Sequence, residues 1–410
     1  MIVLVRLCAK VIIFKDFGVW VKMNKNIIIL VALIIGGCSS FKNNDSIRLK
    51  QSGWVPGIKS KLEKIITIGK NKKLPVVFDF DNTLICRDIG EATFSVMSRD
   101  GILKMDILKK SFSPKIFKNN INLTKYYEDF LNATKHQNND SSPYANGYAW
   151  VVQAMAGLTP KEIINNTKKA YRSGLAFRDH QSLGKQTKIV VKNDQTSYRV
   201  PYFYPQMIEL VGLFLKNNYD VYIVSASNVW SVRWMASQLN QKLKQMGFKK
   251  EIVLKNVIGV STLLQDKNGK LYKDMLLARS NDEYTNLNHK LLSELNLTAQ
   301  IVYPLTGYYG KVANIIKWIG KRPYFVAGDS PNDHPMLSFG KYKLWLARLE
   351  KEGYQKKVLS LIKEDKRKYW LIQPTLYKKS SGFVADYEDL NRRFNQKTPE
   401  SILKVWHMVN

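Results

Sequence analysis

The stretch Leu-Pro-Val-Val-Phe-Asp-Phe-Asp-Asn-Thr, residues 74–83, decides the fold of this chain. Its first half is a short apolar run of the kind that forms a fully buried strand in a parallel sheet. Two carboxylates, Asp79 and Asp81, follow where the chain leaves that strand. Surface acidic pairs are common, but a DxDxT sequence directly after a buried strand is specific, so we interpret it as a catalytic loop.

Two further apolar runs repeat this pattern. Residues 221–224 lead into Ser225, residues 324–327 lead into Gly328 and Asp329, and each run follows a helix-like stretch. Strands that alternate with helices predict right-handed crossovers and an open, Rossmann-like parallel α/β sheet. Ligands of such sheets bind beyond the carboxyl ends of the strands, which is where each run ends in polar residues.

The chain is long enough for this core and a large insertion. The segment after the first motif is too long for a loop, and its helical patterns predict a mainly helical cap over the strand ends. We predict an upstream extension plus a signal peptide at 1–37, a tether at 38–55, the α/β core at 56–87 and 202–375, the cap at 88–201 and a C-terminal extension at 376–410.

Phosphoryl transfer needs an in-line nucleophile, a cation that bridges oxygens, and positive groups on the equatorial oxygens. Asp79 can attack as a carboxylate while Asp81 delivers and later removes a proton. Mg²⁺ prefers oxygen ligands, with one or two carboxylates and retained waters. Asp329 would supply such a ligand beside Asp79, and Asp333 would ligate the ion or orient a bound water.

Phosphate binding is predicted for two more side chains. The Ser225 hydroxyl can donate to a phosphate oxygen, and the helix that follows from Val229 adds backbone N–H groups and its dipole. Lys311 begins a helix upstream of the Asp329 motif, so its ammonium can reach the strand ends. Strand-ending serines and single lysines are common, and an ordinary turn uses the same residues as 328–333, so these signals gain weight only in combination.

The order DFDNT (79–83), VSAS (224–227), GK (310–311) and GDSPND (328–333) resembles the four motifs of the haloacid dehalogenase (HAD) superfamily of phosphatases. The phrases AGLTPKEI (156–163) and YPQMIELV (204–211) are similar to its phosphoserine and phosphorylcholine phosphatase branch. The resemblance covers residues 74–347 and is thin in the cap.

This resemblance implies a role for each motif residue. Asp79 would be the phosphorylated nucleophile, and Asp81 the general acid/base that also ligates Mg²⁺ through its backbone carbonyl. Ser225 and Lys311 would bind phosphate. Asp329 and Asp333 would hold the metal together with Asp79 and Asp81.

The implied function is Mg²⁺-dependent hydrolysis of a small phosphomonoester such as phosphocholine, phosphoethanolamine or phosphoserine. In the branch it resembles, an acidic residue of the first cap segment meets the substrate amine; Asp88 or Glu91 would take that part, or would cap a helix. Tyr144, Tyr148 and Trp150 would form a cage for a quaternary ammonium, or belong to the cap core. Two alternatives remain: a phosphotransferase with the same chemistry, and a non-catalytic basic surface lipoprotein.

The N-terminal region has the three-part layout of a secretory signal. Lys25 precedes an apolar run at 27–35, and Gly36 and Gly37 precede Cys38. The run is short for a membrane span. The ending resembles a bacterial lipobox, which predicts acylation of Cys38 and an exported protein that is lipid-anchored to a bacterial membrane, facing the periplasm or the cell surface. An uncleaved anchor with an incidental cysteine is the alternative.

The chain is strongly basic. Its 64 Lys and Arg against 33 Asp and Glu give a formal net charge of +31. Such a charge attracts anionic ligands, membrane headgroups or nucleic acid, or reflects a solvated lysine-rich surface. No zinc finger, RNA-recognition signature or basic-helix pattern is present, so we expect no specific nucleic-acid partner. Three cysteines without CxxC spacing support neither a zinc site nor a disulfide framework.

Overall fold

A computed structural model describes the chain in segments. Those segments are residues 12–13, 20–21, 47–104, 123, 127, 147–172, 188–191, 196–274, 286–365, 369–378 and 380–410. Cys38, the signal peptide and Tyr144 lie outside them. Contacts divide the chain into Met1–Arg48 and Leu49–Asn410. In the first unit, two short strands, Ile12–Ile13 and Trp20–Val21, pair antiparallel.

The second unit is an α/β body. Numbering from the short pair as β1 and β2, its strands are β3 Pro75–Phe78, β4 Ile85–Cys86, β5 Lys188–Val191, β6 Thr196–Arg199, β7 Tyr202–Phe203, β8 Asp220–Asn228, β9 Val257–Val260, β10 Thr262–Gln265, β11 Leu271–Lys273, β12 Asn296–Ile301, β13 Phe325–Gly328, β14 Tyr342–Arg348, β15 Trp370–Leu376 and β16 Gly382–Phe383.

The described α-helices lie between these strands, singly or in succession, and after the last strand. They are α1 Pro56–Gly69, α2 Ile89–Arg99, α3 Gly147–Gln153, α4 Pro160–Arg172, α5 Pro205–Lys216, α6 Val229–Gln245, α7 Leu291–Glu294, α8 Tyr309–Asn314, α9 His334–Phe339, α10 Glu352–Glu364, α11 Tyr387–Arg393 and α12 Glu400–Val409. A π-helical turn, Ile315–Ile319, continues α8, and 3₁₀ turns lie at Leu254–Asn256 and Pro331–Asp333. Among the described helices, none has the length and apolar character that crossing a membrane requires.

Within the described residues the central sheet has seven strands in the order β16-β15-β14-β13-β3-β8-β9. Every neighbouring pair is parallel except β15 with β16. The fold is therefore the open, mainly parallel α/β sheet that the apolar runs predict. Because β3 lies between β13 and β8, the carboxyl ends that carry Asp329, Asp79 and Ser225 are neighbours.

The strands read as continuous apolar runs because both faces of the sheet are covered. All four residues of β3, β9 and β13 are buried. Helix α12 packs on the core through Ile402, Val405, Trp406 and Val409. Residues 376–410 therefore add a strand and a packed helix to the body.

Helices from the insertion lie beside the strand ends. α2 packs on α4, and α4 packs on α6 of the core. The insertion also holds the β5–β6 hairpin, whose register pairs Lys188 with Arg199. A separate antiparallel sheet, in the order β11-β10-β12, follows β9, and its β10–β11 turn carries Asp266 to Gly269.

Candidate active site

The loop after β3 holds Asp79 in a fixed position. Its backbone N–H donates to the Ala327 carbonyl (3.0 Å), which extends the β3–β13 pairing by one residue. The residue is 5 % exposed. Its Oδ2 accepts from the Thr83 hydroxyl (3.0 Å), and its Oδ1 accepts from the Lys311 ammonium (2.6 Å). Burial, then the Asp333 charge, raises the pKa of Asp79 to about 7 in the metal-free protein.

Asp81 lies in a tight turn directly after β3. Asn82 supplies the positive φ (56°) of that turn, and its side chain accepts from the Arg87 N–H. Asp81 Oδ1 then accepts from the Ile89 N–H (2.7 Å) at the start of α2, and Oδ2 accepts from the Ser227 hydroxyl (2.7 Å). Burial and the nearby Asp88 raise the pKa of Asp81 to about 8, so this carboxyl retains a proton at neutral pH.

The end of β8 contributes two serines with different positions. The Ser225 hydroxyl is fully buried, donates to Asp81 Oδ2 (3.3 Å) and accepts from the Ser227 N–H (3.0 Å). Ser227 lines the cleft. Ser225 thus lies at the site, in contact with Asp81, while the second serine of VSAS reaches the open space.

Lys311 joins the two acidic motifs. Its Nζ lies 2.6 Å from Asp79 Oδ1 and 2.6 Å from Asp333 Oδ1, and the residue is 1 % exposed. Burial disfavours the charged form, but the carboxylates of Asp333 and Asp79 outweigh it and hold the pKa of Lys311 above its ordinary value. The ammonium therefore stays charged beside Asp79 across the neutral range.

The loop after β13 is organised around Asp333. Its Oδ2 accepts from the N–H groups of Asp329 (3.1 Å) and Ser330 (3.0 Å). Gly328 is needed because a Cβ there would lie 2.6 Å from the Asp333 Cβ. Burial works against the Asp333 charge, but Lys311 and these hydrogen bonds lower its pKa, whereas burial raises the pKa of Asp329.

Three buried carboxylates form a group suited to a cation. Asp79, Asp329 and Asp333 each offer an oxygen, and these atoms lie within 4.8 Å of one another. Carboxylate oxygens are the ligands that Mg²⁺ prefers, and close buried carboxylates repel one another unless a cation lies between them. The donor set therefore fits the Mg²⁺ implied by the motifs.

Arg348 is a site residue that the sequence analysis missed. It is the last residue of β14, is 7 % exposed, and its Nη2 lies 2.5 Å from Asp329 Oδ2. Its guanidinium lies 5.3 Å from the ring centroids of Tyr354 and Tyr377. Its position after the run Leu344–Ala347 is the same signal that identified Asp79, Ser225 and Asp329.

A cleft of about 370 Å³ opens over these residues. Its wall combines carboxylates, cations and tyrosines; besides motif residues they are Arg87, Asp88, Glu91, Tyr148, Tyr198, Arg199, Arg348, Lys351, Tyr354, Tyr377 and Lys378. Asp88 also caps α2, since its side chain accepts from the Glu91 N–H. Of the expected aromatic cage, Tyr148 lines the cleft, whereas Trp150 packs against Phe94 and Tyr127 inside the cap.

Comparisons with known proteins bear on the fold. No protein-family model and no curated protein matches the sequence. A conserved functionally unknown protein from Anaerococcus prevotii DSM 20548 superposes with a TM-score of 0.55 at 20% identity, covering 82% of this chain and 97% of that one. This likeness supports the shared fold.

Two other solved structures are less similar. A protein with unknown function from Bordetella pertussis Tohama I gives a TM-score of 0.43 at 12% identity, covering 73% of this chain and 98% of that one. A phosphoserine phosphohydrolase-like protein from Francisella tularensis subsp. tularensis SCHU S4 gives 0.34 at 17% identity, covering 70% and 92%.

Proposed function

We propose that this chain is a HAD-type, Mg²⁺-dependent phosphomonoester hydrolase that forms an aspartyl-phosphate on Asp79. The observation that carries the proposal is the position of the Asp79 carboxylate. It is hydrogen-bonded to Lys311 at 2.6 Å, stands in a group of carboxylates that can hold a cation, and faces the cleft two residues from a second carboxyl.

In the first half-reaction an Asp79 oxygen attacks phosphorus while the bond from phosphorus to the leaving oxygen breaks. Asp81 gives its proton to that leaving oxygen, which matches its raised pKa. Lys311, beside Asp79, and Arg348, beside Asp329, would balance the charge of the phosphoryl oxygens. Bound Mg²⁺, held by Asp79, the Asp81 carbonyl, Asp329 and Asp333, would supply charge neutralisation to the phosphate.

In the second half-reaction water attacks the phosphorus of the aspartyl-phosphate. Asp81 now accepts the water proton, the bond from phosphorus to Asp79 breaks, and inorganic phosphate leaves. Ser227 and the Ile89 N–H hold the Asp81 carboxyl in place through both steps. The Ser225 hydroxyl donates a hydrogen bond to the same carboxyl.

The cleft wall supports a cationic leaving group. Asp88 and Glu91 lie at the start of α2, next to the general acid, and tyrosines line the same space. Carboxylates and aromatic faces both attract ammonium groups. We therefore propose phosphorylated amino-alcohols, such as phosphocholine or phosphoethanolamine, as the substrate class, and an exported protein tethered to a bacterial membrane through Cys38 as its setting.

The test is turnover of p-nitrophenyl phosphate with and without Mg²⁺. We expect Asp79→Asn to lower kcat by about three orders of magnitude or more, since it removes the nucleophile, and chelation to abolish turnover. Asp220→Asn, an exposed carboxylate at the opposite end of the sheet, is the matched control and should keep full activity. Activity that survives both Asp79→Asn and chelation would refute the proposal.

A further inference from the structure

The amino-terminal end of the central sheet, opposite the cleft, carries a dense set of cations. They lie in the turns that lead into β3, β13 and β14 and in the turn that follows α6. We call this surface the basic edge; its members, all exposed, are Lys70, Lys72, Lys73, Lys249, Lys250, Lys321, Arg322 and Lys341.

Backbone and side-chain contacts join neighbouring turns of the basic edge. The Lys73 N–H donates to the Asn218 carbonyl (3.1 Å), and the Lys250 ammonium contacts the Asn218 side chain. The Lys341 N–H donates to the Pro323 carbonyl (3.0 Å). Acidic neighbours are fewer and partly paired: Asp220, Glu251 with Lys244, Glu364, and Asp365 with Lys343.

A row of tyrosines runs along the same end of the sheet. Tyr219, Tyr324, Tyr342 and Tyr369 lie in sequence, with ring centroids 5.7, 4.9 and 5.0 Å apart. Tyr219 and Tyr324 are buried, whereas Tyr369, at one end of the row, is 43% exposed; Ile68 on α1, beside the Tyr219 end of the row, is 45% exposed. Tyrosine and lysine together are typical of surfaces that lie at a membrane–water interface.

The segment before α1 runs toward this end. Val55 is the residue before α1, whereas the Leu49 N–H donates to Glu63 (2.8 Å), midway along the helix. The N–H groups of Lys50 and Gln51 bind the Glu209 carboxylate, which fixes the segment to the body. Tracing the chain back from Val55 to Leu49 therefore moves toward Gly69 and the basic edge.

We propose that the basic edge is a docking surface for a bilayer that contains anionic phospholipid. Its exposed cations attract anionic headgroups additively, the exposed Tyr369 and Ile68 suit the interface, and the segment before α1 runs toward the same side. Docked in this way, the protein points the carboxyl end of its sheet, and the cleft, away from the membrane toward soluble substrates.

The experiment compares partition of the full chain into phosphatidylcholine vesicles with and without phosphatidylglycerol. The ratio of the two partition coefficients isolates the charge-dependent contribution, because any apolar insertion is common to both lipids. We expect K70E/K72E/K249E/K321E to lower this ratio at least about tenfold. The matched control, K267E/K270E/K273E/K290E, makes the same charge change around the β10–β11 hairpin and α7, and should leave the ratio within about threefold of the wild type.

A second measurement uses the unmodified chain and so does not depend on how the variants fold. We expect hydrogen exchange at residues 70–73 and 321–322 to slow with anionic vesicles and not with zwitterionic ones. Equal loss of binding in both charge-reversed variants would mean that net charge alone acts and would overturn the proposal. Protection of these residues by single-stranded RNA but not by anionic vesicles would also overturn it.

Discussion

The motif residues at the carboxyl end of the central sheet hold their charges buried and paired, whereas the cations of the basic edge, at the amino end, are exposed. Lys311 lies 2.6 Å from two carboxylates and Arg348 lies 2.5 Å from a third, all of them nearly inaccessible. Lys72 and Lys321 at the other end face water. Breaking a buried pair leaves an uncompensated charge, while an exposed charge is screened by solvent. Single substitutions should therefore act strongly at one end and weakly at the other.

The largest effect is expected for Lys311→Met. This change leaves Asp79 and Asp333 buried without their cation, so we expect the metal-free protein to lose about 3–5 kcal/mol of unfolding free energy, measured by chemical denaturation with chelator present. Turnover should fall with it, because the charge beside the nucleophile is gone. The double variant K311M/D79N should recover part of the lost stability, since one unpaired carboxylate is removed. An unchanged unfolding midpoint for Lys311→Met would break the contrast between the two ends.

The apolar runs that end in polar residues were sufficient to predict the sheet and the shared edge at which Asp79, Asp81, Ser225 and Asp329 lie, with Asp333 in the loop that follows; Lys311 was predicted from its helix upstream of the Asp329 motif. The reason is geometric: carboxyl ends of neighbouring parallel strands meet at one edge. The catalytic roles of these residues stay predictions. That edge geometry does not tell which of two serines reaches the cleft, because Ser225 and Ser227 lie on the same face of β8.

Local patterns mark the remainder of the site weakly or not at all. Tyr354 and Tyr377 come from α10 and from the chain after β15, and no motif marks them; they reach the cleft because these elements pack beside β14. Arg348 ends an apolar run, but arginine at a strand end is ordinarily solvated, so its burial is visible only in the folded chain.

A smaller effect is expected for Arg348→Ala. We expect kcat/KM for p-nitrophenyl phosphate to fall about ten- to a hundredfold, the equivalent of the roughly 1.5–3 kcal/mol that a hydrogen bond to a charged group contributes. Arg348→Lys should recover only part, because an ammonium does not reproduce the planar guanidinium between Tyr354 and Tyr377. Lys321→Ala, at the opposite end, is the control and should change kcat/KM by less than about twofold. Equal losses in the two alanine variants would show that position on the sheet does not matter.

The smallest effect concerns Asp88, whose pKa is raised to about 8 by burial and the neighbouring Glu91. Below that pH the carboxyl holds a proton and attracts a cation weakly, so the KM for phosphocholine should fall as the pH rises toward 8. The KM for p-nitrophenyl phosphate, which carries no cation, should lack this component. Asp88→Asn keeps an N-cap for α2 and should remove the difference between the two profiles, raising the KM for phosphocholine about three- to tenfold above neutral pH. Parallel profiles for both substrates in the wild type would argue against a cationic leaving group and leave the hydrolytic mechanism on Asp79 untouched.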